Sequence, residues 1–303
     1  MRRLTLSVLF ATALFASCSS EAKTNDAAPA ELRFSVIPDF SKTQLAENAA
    51  TLATYLEKKL GVKVHYEPSN SYTAAYNALL ANKLDFVWLG GKTTVDAIDA
   101  GGGHVHVLAA RDIDFQFKSY FIGNQKAVES GRLKKMTDLA ELKPIAKDLV
   151  FTFGDKNSTS GHLMPRYFLT MADLKPDTDF KTPAAYAQGG HSGTLRAVAD
   201  GTADLGALNY AYYDKAPAED RAKAPILFTT PEYVDYAWVA HDRLGKETIE
   251  KLRTAFTSLD PAKADDAAVL KACSAGKFLA ADDAKWESIR KVRDALGKDF
   301  FKQ

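Results

Sequence analysis

From residue 32 onward the sequence alternates between two hydrophobic periods, and no other feature restricts the possible folds as tightly. "LRFSVIP" (32–38), "VKVHYEP" (62–68), "LDFVWLGG" (84–91) and "HVHVLAAR" (104–111) are short apolar runs that read as strands. Between them, "TQLAENAATLATYLEKKLG" (43–61), "SYTAAYNALLANK" (71–83) and "TTVDAIDAG" (93–101) carry apolar residues at helical spacing, with Gly61 as a stop. Strand–helix alternation predicts an α/β fold, with mostly parallel strands and helices on both faces of the sheet.

The second half repeats the pattern. "DLVFTFG" (148–154), "AAYAQGG" (184–190) and "ADLGALN" (203–209) read as strands, and "SGHLMPRYFLTMAD" (160–173) and "HSGTLRAVADG" (191–201) as helices. Pro165 fits a first helical turn, which places that helix start near Ser160. The tail from 245 to 300 reads as helical, through "KETIEKLRTAF", "DAAVLKACSAGKF" and "AKWESIRKVRDAL". Two segments rhyme, "ALLANKLDFVWLG" (78–90) and "AVADGTADLGALN" (197–209), with Asp85 and Asp204 in matching places. The rhyme predicts two lobes of similar build. Lobe one takes residues 32–118 and 240–303, and lobe two takes 124–228. Two extended crossings, 117–124 and 229–240, join them, as hinge closure about a ligand requires.

The first residues follow a different logic. "MRRLTLSVLFATALFASCSS" has two arginines, an apolar run too short to span a membrane, and small residues before Cys18, which is the layout of an export signal. Leu14-Phe15-Ala16-Ser17-Cys18 resembles a bacterial lipobox, so residues 1–17 are expected to be removed and Cys18 to carry lipid. The small polar segment 18–31 then serves as a flexible tether. With Cys18 lipidated, Cys273 has no partner; it sits on an apolar helical pattern and reads as packing. Lys+Arg number 39 against 38 Asp+Glu, a net charge of +1, and "RLKKM" (132–136) is only a short solvated patch. That balance argues against nucleic acid as a partner.

The stretch "FTFGDKNSTSGHLMPRYFL" (151–169) puts Ser158, Thr159, Ser160 and Gly161 where a buried strand feeds a helix. Helix N-termini offer unpaired N–H groups and a partial positive charge, hydroxyls add donors, and glycine permits close approach. Simple capping would explain a lone Ser-Thr-Ser-Gly. In an exported two-lobed α/β chain the same stretch reads as a socket for an anion.

These motifs carry a resemblance. "LGVKVHYEPSNSY" (60–72), "DFVWLGGKTT" (85–94), "FGDKNSTSGHLMP" (153–165), "GGHSGT" (189–194) and "VDYAWV" (234–239) resemble the phosphonate/phosphite-type substrate-binding proteins of bacterial ABC importers over nearly the whole mature chain. "STSGHLMPRYF", "LNYAYYD" and "YVDYAW" are most similar to a subgroup labelled selenate-binding. The resemblance implies the type II periplasmic-binding-protein fold, a monomer, a permease partner, and a small tetrahedral oxyanion as ligand, with neither cofactor nor metal. It also implies that the serine-rich turn grips the oxyanion and that Tyr72 reaches it from lobe one. Trp88 stands in a ligand-facing aromatic pair whose second member is here Leu89. His191 and Asp235 match ligand contacts, and Asn209 and Tyr210 line the same region. Relatives that grip aminoethylphosphonate carry a further acid near the place of Ala211, so an amino-phosphonate is not favoured here.

Asp235 bears on the choice of ligand by physical argument. A buried carboxylate facing an anion is repulsive unless a proton lies between them. Phosphite, phosphonates and hydrogen phosphate can supply that proton; sulfate and selenate cannot. Two readings of other classes compete. Ser160, His191 and Asp235 could be drawn as a nucleophilic triad, but there is no G-x-S-x-G elbow and the serine has hydroxyl neighbours. His104, His106, His162 and His191 lack paired metal-ligand spacing. A surface or sensing lipoprotein with an inherited cleft is the other alternative.

Overall fold

The computed structural model describes residues 29–297. The signal segment, Cys18 and most of the tether therefore lie outside the described residues, and Glu31 opens the first strand. The chain runs β1 (Glu31–Val36), α1 (Lys42–Leu60), β2 (Lys63–Tyr66), α2 (Tyr72–Leu80), β3 (Phe86–Leu89), α3 (Gly91–Ala100) and β4 (Val105–Arg111). It then builds β5 (Ser119–Gly123), α4 (Gln125–Glu129), β6 (Phe151–Phe153), α5 (Met164–Met171), β7 (Ala185–Tyr186), α6 (Gly190–Ala199), β8 (Leu205–Asn209), α7 (Tyr210–Lys215), α8 (Ala218–Lys223) and β9 (Ile226–Thr229). It returns with β10 (Ala237–His241), α9 (Gly245–Thr257), α10 (Ala264–Ala272), β11 (Phe278–Ala280) and α11 (Glu287–Ala295).

Two sheets result, ordered β11-β4-β10-β3-β1-β2 and β7-β6-β8-β5-β9. Both are mixed. β1 pairs parallel with β2 and β3, and β6 with β7 and β8. β10 runs antiparallel between β3 and β4, β11 runs antiparallel beside β4, and β5 runs antiparallel between β8 and β9. The reason is connectivity. β5 and β10 each arrive from the other lobe rather than through a crossover helix, so nothing obliges them to run parallel. β5 already belongs to the second sheet and β10 to the first. The segments between the sheets are thus 112–118 and 230–236, shifted from the expected 117–124 and 229–240. They pair with each other through an antiparallel bridge, Phe117 to Tyr233.

The first sheet is covered on both faces because its strands are apolar on both. On β3, Phe86 packs with Phe34, Trp238 and Phe256 under α1 and α9, while Val87 and Leu89 pack with Tyr72, Val95 and Trp286 under α2, α3 and α11. Phe34 and Phe86 are fully buried and stack at 5.2 Å. Burying each contributes roughly 2–3 kcal/mol. Gly61 ends α1 in the left-handed conformation, φ +73°, and its N–H bonds the Glu57 carbonyl. The tail departs from the all-helical expectation. α10 stops at Ala272, Ser274 turns the chain at φ +55°, and Phe278 pairs with Arg111 as an edge strand. The expected strand at 184–190 is reduced to Ala185–Tyr186.

The rhyming aspartates do the same work in both lobes. Asp85 Oδ2 accepts from the Arg33 N–H at the start of β1, and Asp85 Oδ1 pairs with Arg243 at 2.7 Å. Asp204 Oδ2 accepts from the Val150 N–H just before β6, at 2.8 Å, and Asp204 Oδ1 pairs with Arg132. Each carboxylate thus registers one parallel strand against the next and binds one arginine. Replacing Asp204 by alanine strands the Val150 amide, and a stability loss of about 1–3 kcal/mol is expected in urea unfolding. An unchanged midpoint would show that water replaces the carboxylate without penalty.

Candidate functional site

The C-terminal ends of β3, β6 and β8 meet between the lobes, where open α/β sheets place ligands. After β6 the chain makes a π-turn over Thr159–Leu163, with the Leu163 N–H on the Ser158 carbonyl, before α5 continues with Pro165 in its first turn. Ser158 caps this turn, its Oγ accepting from the Gly161 N–H at 3.0 Å, so its hydroxyl proton remains free to donate. A Cβ on Gly161 would lie 3.0 Å from Ser158 Oγ and 3.2 Å from the His191 ring. Any larger residue there would press on Ser158 and His191 where this turn packs against α6.

Thr159 points the other way, into lobe one. Its Oγ1 accepts from the Lys92 N–H at 2.9 Å, in the first turn of α3. Ser160 is anchored through its carbonyl, which accepts from Ser119 Oγ at 2.7 Å, while its own hydroxyl has no hydrogen-bond partner among the described residues. Ser119 Oγ also pairs with the Tyr233 hydroxyl at 2.6 Å.

His191 is fully buried in the first turn of α6. The Asn209 N–H points at its Nδ1 from 3.4 Å, so Nδ1 is the acceptor and Nε2 carries the proton. Nε2–H has no partner among the described residues. Burial pushes this imidazole down to about 4, so near neutral pH it is an uncharged donor. Asn209 caps α7, with its Oδ1 accepting from the Ala211 and Tyr212 N–H groups, and its Nδ2 donates to the Tyr236 hydroxyl at 3.1 Å. Its side chain is thus engaged in organising the site.

From lobe one, Tyr72 opens α2 behind its cap Ser71, and its buried hydroxyl also lacks a partner among the described residues. Asp235 lies in the second crossing and is fully buried. Its N–H donates to the Asp114 carbonyl, and the Trp286 indole N–H donates to its own carbonyl. Asp235 Oδ1 accepts from the Gly91 N–H at 2.8 Å, and Oδ2 accepts nothing from the described residues. Burial pushes this carboxyl up to about 7. The Gly90-Gly91 pair makes the approach possible. A Cβ on Gly90 would lie 3.2 Å from Thr159 Oγ1 and 3.4 Å from Asp235 Oδ1, and one on Gly91 3.2 Å from the Asp235 carbonyl.

Four buried polar atoms are thus left over where the lobes meet: Tyr72 Oη, Ser160 Oγ, His191 Nε2 and Asp235 Oδ2. An unpaired buried polar group costs about 1–3 kcal/mol, so such a cluster is a site made for something else. Three are donors and one is a carboxyl. The neighbouring cations are already engaged: Lys92 with Asp96 and Asn157, and Arg111 with Asp114. This is a cradle of neutral donors for an anion, with one carboxyl that accepts a proton where it is ionised, above about pH 7. The relay of a serine-nucleophile triad is not made, because His191 Nδ1 faces an N–H and Asp235 Oδ1 faces Gly91.

Seven of the ten sequence-predicted ligand residues assemble here: Tyr72, Ser158, Thr159, Ser160, Gly161, His191 and Asp235. Asn209 supports them. Trp88 lies elsewhere: its ring stacks on Tyr236 at 5.6 Å beneath the Arg111 guanidinium, and it lines a 70 Å³ cavity in lobe one with Phe34, Asp39 and Cys273. Tyr210 packs edge-on against Phe117 at 4.9 Å. Leu89 is buried in the core, and burial pushes the Cys273 thiol up to about 12. His162 is a core residue held between the Lys156 carbonyl, Arg166 and Tyr186. Sequence reading missed Ser119, Tyr233, Trp286 and the α3 start. Only the last had a signal, since "GGKTT" is a second small, hydroxyl-rich helix entry.

Comparison with known proteins agrees with this fold. A family model described as "ABC transporter, phosphonate, periplasmic substrate-binding protein" matches residues 34–286. The probable ABC transporter phosphite binding protein PhnD1 of Prochlorococcus marinus is 33% identical, over 94% of this chain and 95% of that one. The phosphonates-binding periplasmic protein of Escherichia coli is 27% identical, over 86% of this chain and 75% of that one. The structure of Prochlorococcus marinus PhnD1 in complex with methylphosphonate superposes with a TM-score of 0.82, covering 89% of this chain and 99% of that one.

Proposed function

The chain belongs to the periplasmic substrate-binding proteins of phosphonate ABC transporters, and from that premise we propose that it captures a small tetrahedral phosphorus oxyanion carrying one proton. Phosphite, a short phosphonate and hydrogen phosphate meet that description. Asp235 is the observation that carries the reading. A buried carboxyl with one oxygen held by Gly91 and the other unpartnered suits a P–OH group. Ser158, Ser160, Tyr72 and His191 Nε2 donate to the remaining oxygens, aided by the π-turn and α6 N-termini. Alanine at 211 leaves an amine substituent without the acid that amine-gripping relatives carry.

The lobes close on the ligand by bending within 112–118 and 230–236, and the contacts between Thr159 and Lys92 and between Asn209 and Tyr236 belong to the closed form. The closed monomer then docks on the permease. Cys18 carries the lipid that keeps the protein at the membrane, with the segment from there to the start of β1 as its tether. Thermal shift on a soluble form beginning near Thr24 tests the ligand class, across phosphite, methylphosphonate, 2-aminoethylphosphonate, phosphate, sulfate and selenate. A ligand far above its dissociation constant adds about 3–4 kcal/mol of stability. Shifts from phosphite, methylphosphonate or phosphate are expected. A shift from selenate or sulfate alone would reject the phosphorus reading, and silence across the panel would favour a sensing role.

A further inference from the structure

A set of hydrogen bonds joins the lobes where no oxyanion contact is needed. Asn157, half-buried just before the hydroxyl triplet, reaches out of lobe two to two helices of lobe one. Its Oδ1 accepts from Lys92 Nζ at 3.0 Å, and its Nδ2 donates to Thr73 Oγ1 at 3.1 Å. An ammonium only donates, so the amide oxygen must face Lys92 and the amide orientation is fixed. Lys92 is held in place from below. It is 1% exposed, its Nζ also binds Asp96 Oδ2 at 2.7 Å, and Asp96 Oδ1 pairs with Arg293 at 2.9 Å.

The start of α3 depends on the same contacts. Gly90 is its N-cap and supplies no side chain, so the helix is capped from a distance: Asp235 takes the Gly91 N–H and Thr159 takes the Lys92 N–H. Opening the lobes withdraws Thr159 from that amide and Asn157 from the ammonium and from Thr73. Each loss disfavours the open form by the same amount whatever the ligand.

We propose that Asn157 is the positioning residue of a closure latch, gripping Lys92 and Thr73 across the cleft and so setting the fraction of molecules able to hold ligand. This rests on the oxyanion-capture reading. Apparent affinity scales with the binding-competent fraction, so loss of the latch weakens all ligands by one common factor. A residue that touches the oxyanion changes their ranking instead.

The test is calorimetry and stopped-flow kinetics with phosphite and methylphosphonate on the wild type, Asn157→Ala, Lys92→Met and the double variant. Asn157→Ala is expected to weaken both ligands about tenfold and equally, through faster dissociation with association unchanged. The double variant is expected to lose much less than the product of the single losses, because the two residues share one interaction. Unchanged affinity in folded Asn157→Ala, or a loss that differs between the two ligands, overturns the latch. A wild type that binds neither ligand overturns the capture reading itself, and the latch with it.

Discussion

Asp235→Asn is expected to invert the ligand preference. The amide oxygen can keep the bond from the Gly91 N–H, while the amide nitrogen replaces the unpartnered Oδ2 and donates where the carboxylate accepted. A P–OH then meets a donor and loses its partner, while a fully ionised oxyanion gains one. Breaking a buried charge-assisted pair costs about 3–5 kcal/mol. Affinity for phosphite or methylphosphonate should therefore fall roughly 10²–10³-fold at pH 8, and affinity for sulfate or selenate should rise at least about tenfold. Titration calorimetry reads both. A variant that keeps the wild-type order of preference would show that Asp235 does not face the ligand.

The same substitution has a signature without ligand. Burial raises the folded Asp235 carboxyl from its ordinary 3.8 to about 7, so between those values the folded state holds more protons than the unfolded chain. Its contribution to stability is present below about pH 4 and is lost as pH rises to 7. His191 runs the opposite way. Its folded value of about 4 lies below the ordinary 6.5, so its contribution is lost as pH falls through 6.5 towards 4. Burial outweighs the Gly91 N–H and the Thr159 hydroxyl, which hold the carboxyl down, while Asp114 and Arg111 act on it with opposite signs. Wild type minus Asp235→Asn should therefore show stability falling by a few kcal/mol from pH 4 to 7. A flat difference would mean that water reaches the carboxyl.

Thr159→Ala with Ser160→Ala is expected to weaken capture strongly while leaving the fold intact. Ser160 Oγ makes no hydrogen bond within the described residues, so its removal strands nothing. A donor to a charged ligand is worth about 1.5–3 kcal/mol. Thr159 adds the cap on the Lys92 N–H that joins the lobes. Together they should weaken binding roughly 10²–10³-fold, with the ligand-free melting temperature moved by only a few degrees. Retained affinity would remove the π-turn from the site, and a collapsed melting curve would show that the turn holds the fold rather than the ligand.

The two periods in the sequence were enough for the α/β class and for two lobes, because strand and helix burial follow from side-chain spacing along a short segment. The match of Asp85 with Asp204 was legible for the same reason: both act on the strand that pairs beside them, through one local geometry. The hydroxyl triplet was legible because a helix start makes its own chemistry. What spacing could not report is what arrives from far along the chain. β11 was hidden because "KACSAGKF" (271–278) continues an apolar helical pattern, yet the helix stops at Ala272 and Phe278–Ala280 form a strand because β4 offers an edge at Arg111. Trp88 looked like a ligand residue, yet Tyr236 and Arg111 stack its ring away from the cradle. The sequence by itself determined most of the elements, the repeat and the residue types that meet between the lobes. Only the tertiary structure decided which polar atoms end up without a partner, because that depends on groups as distant as Gly91 from Asp235 and Asn209 from His191, and on two lobes meeting face to face.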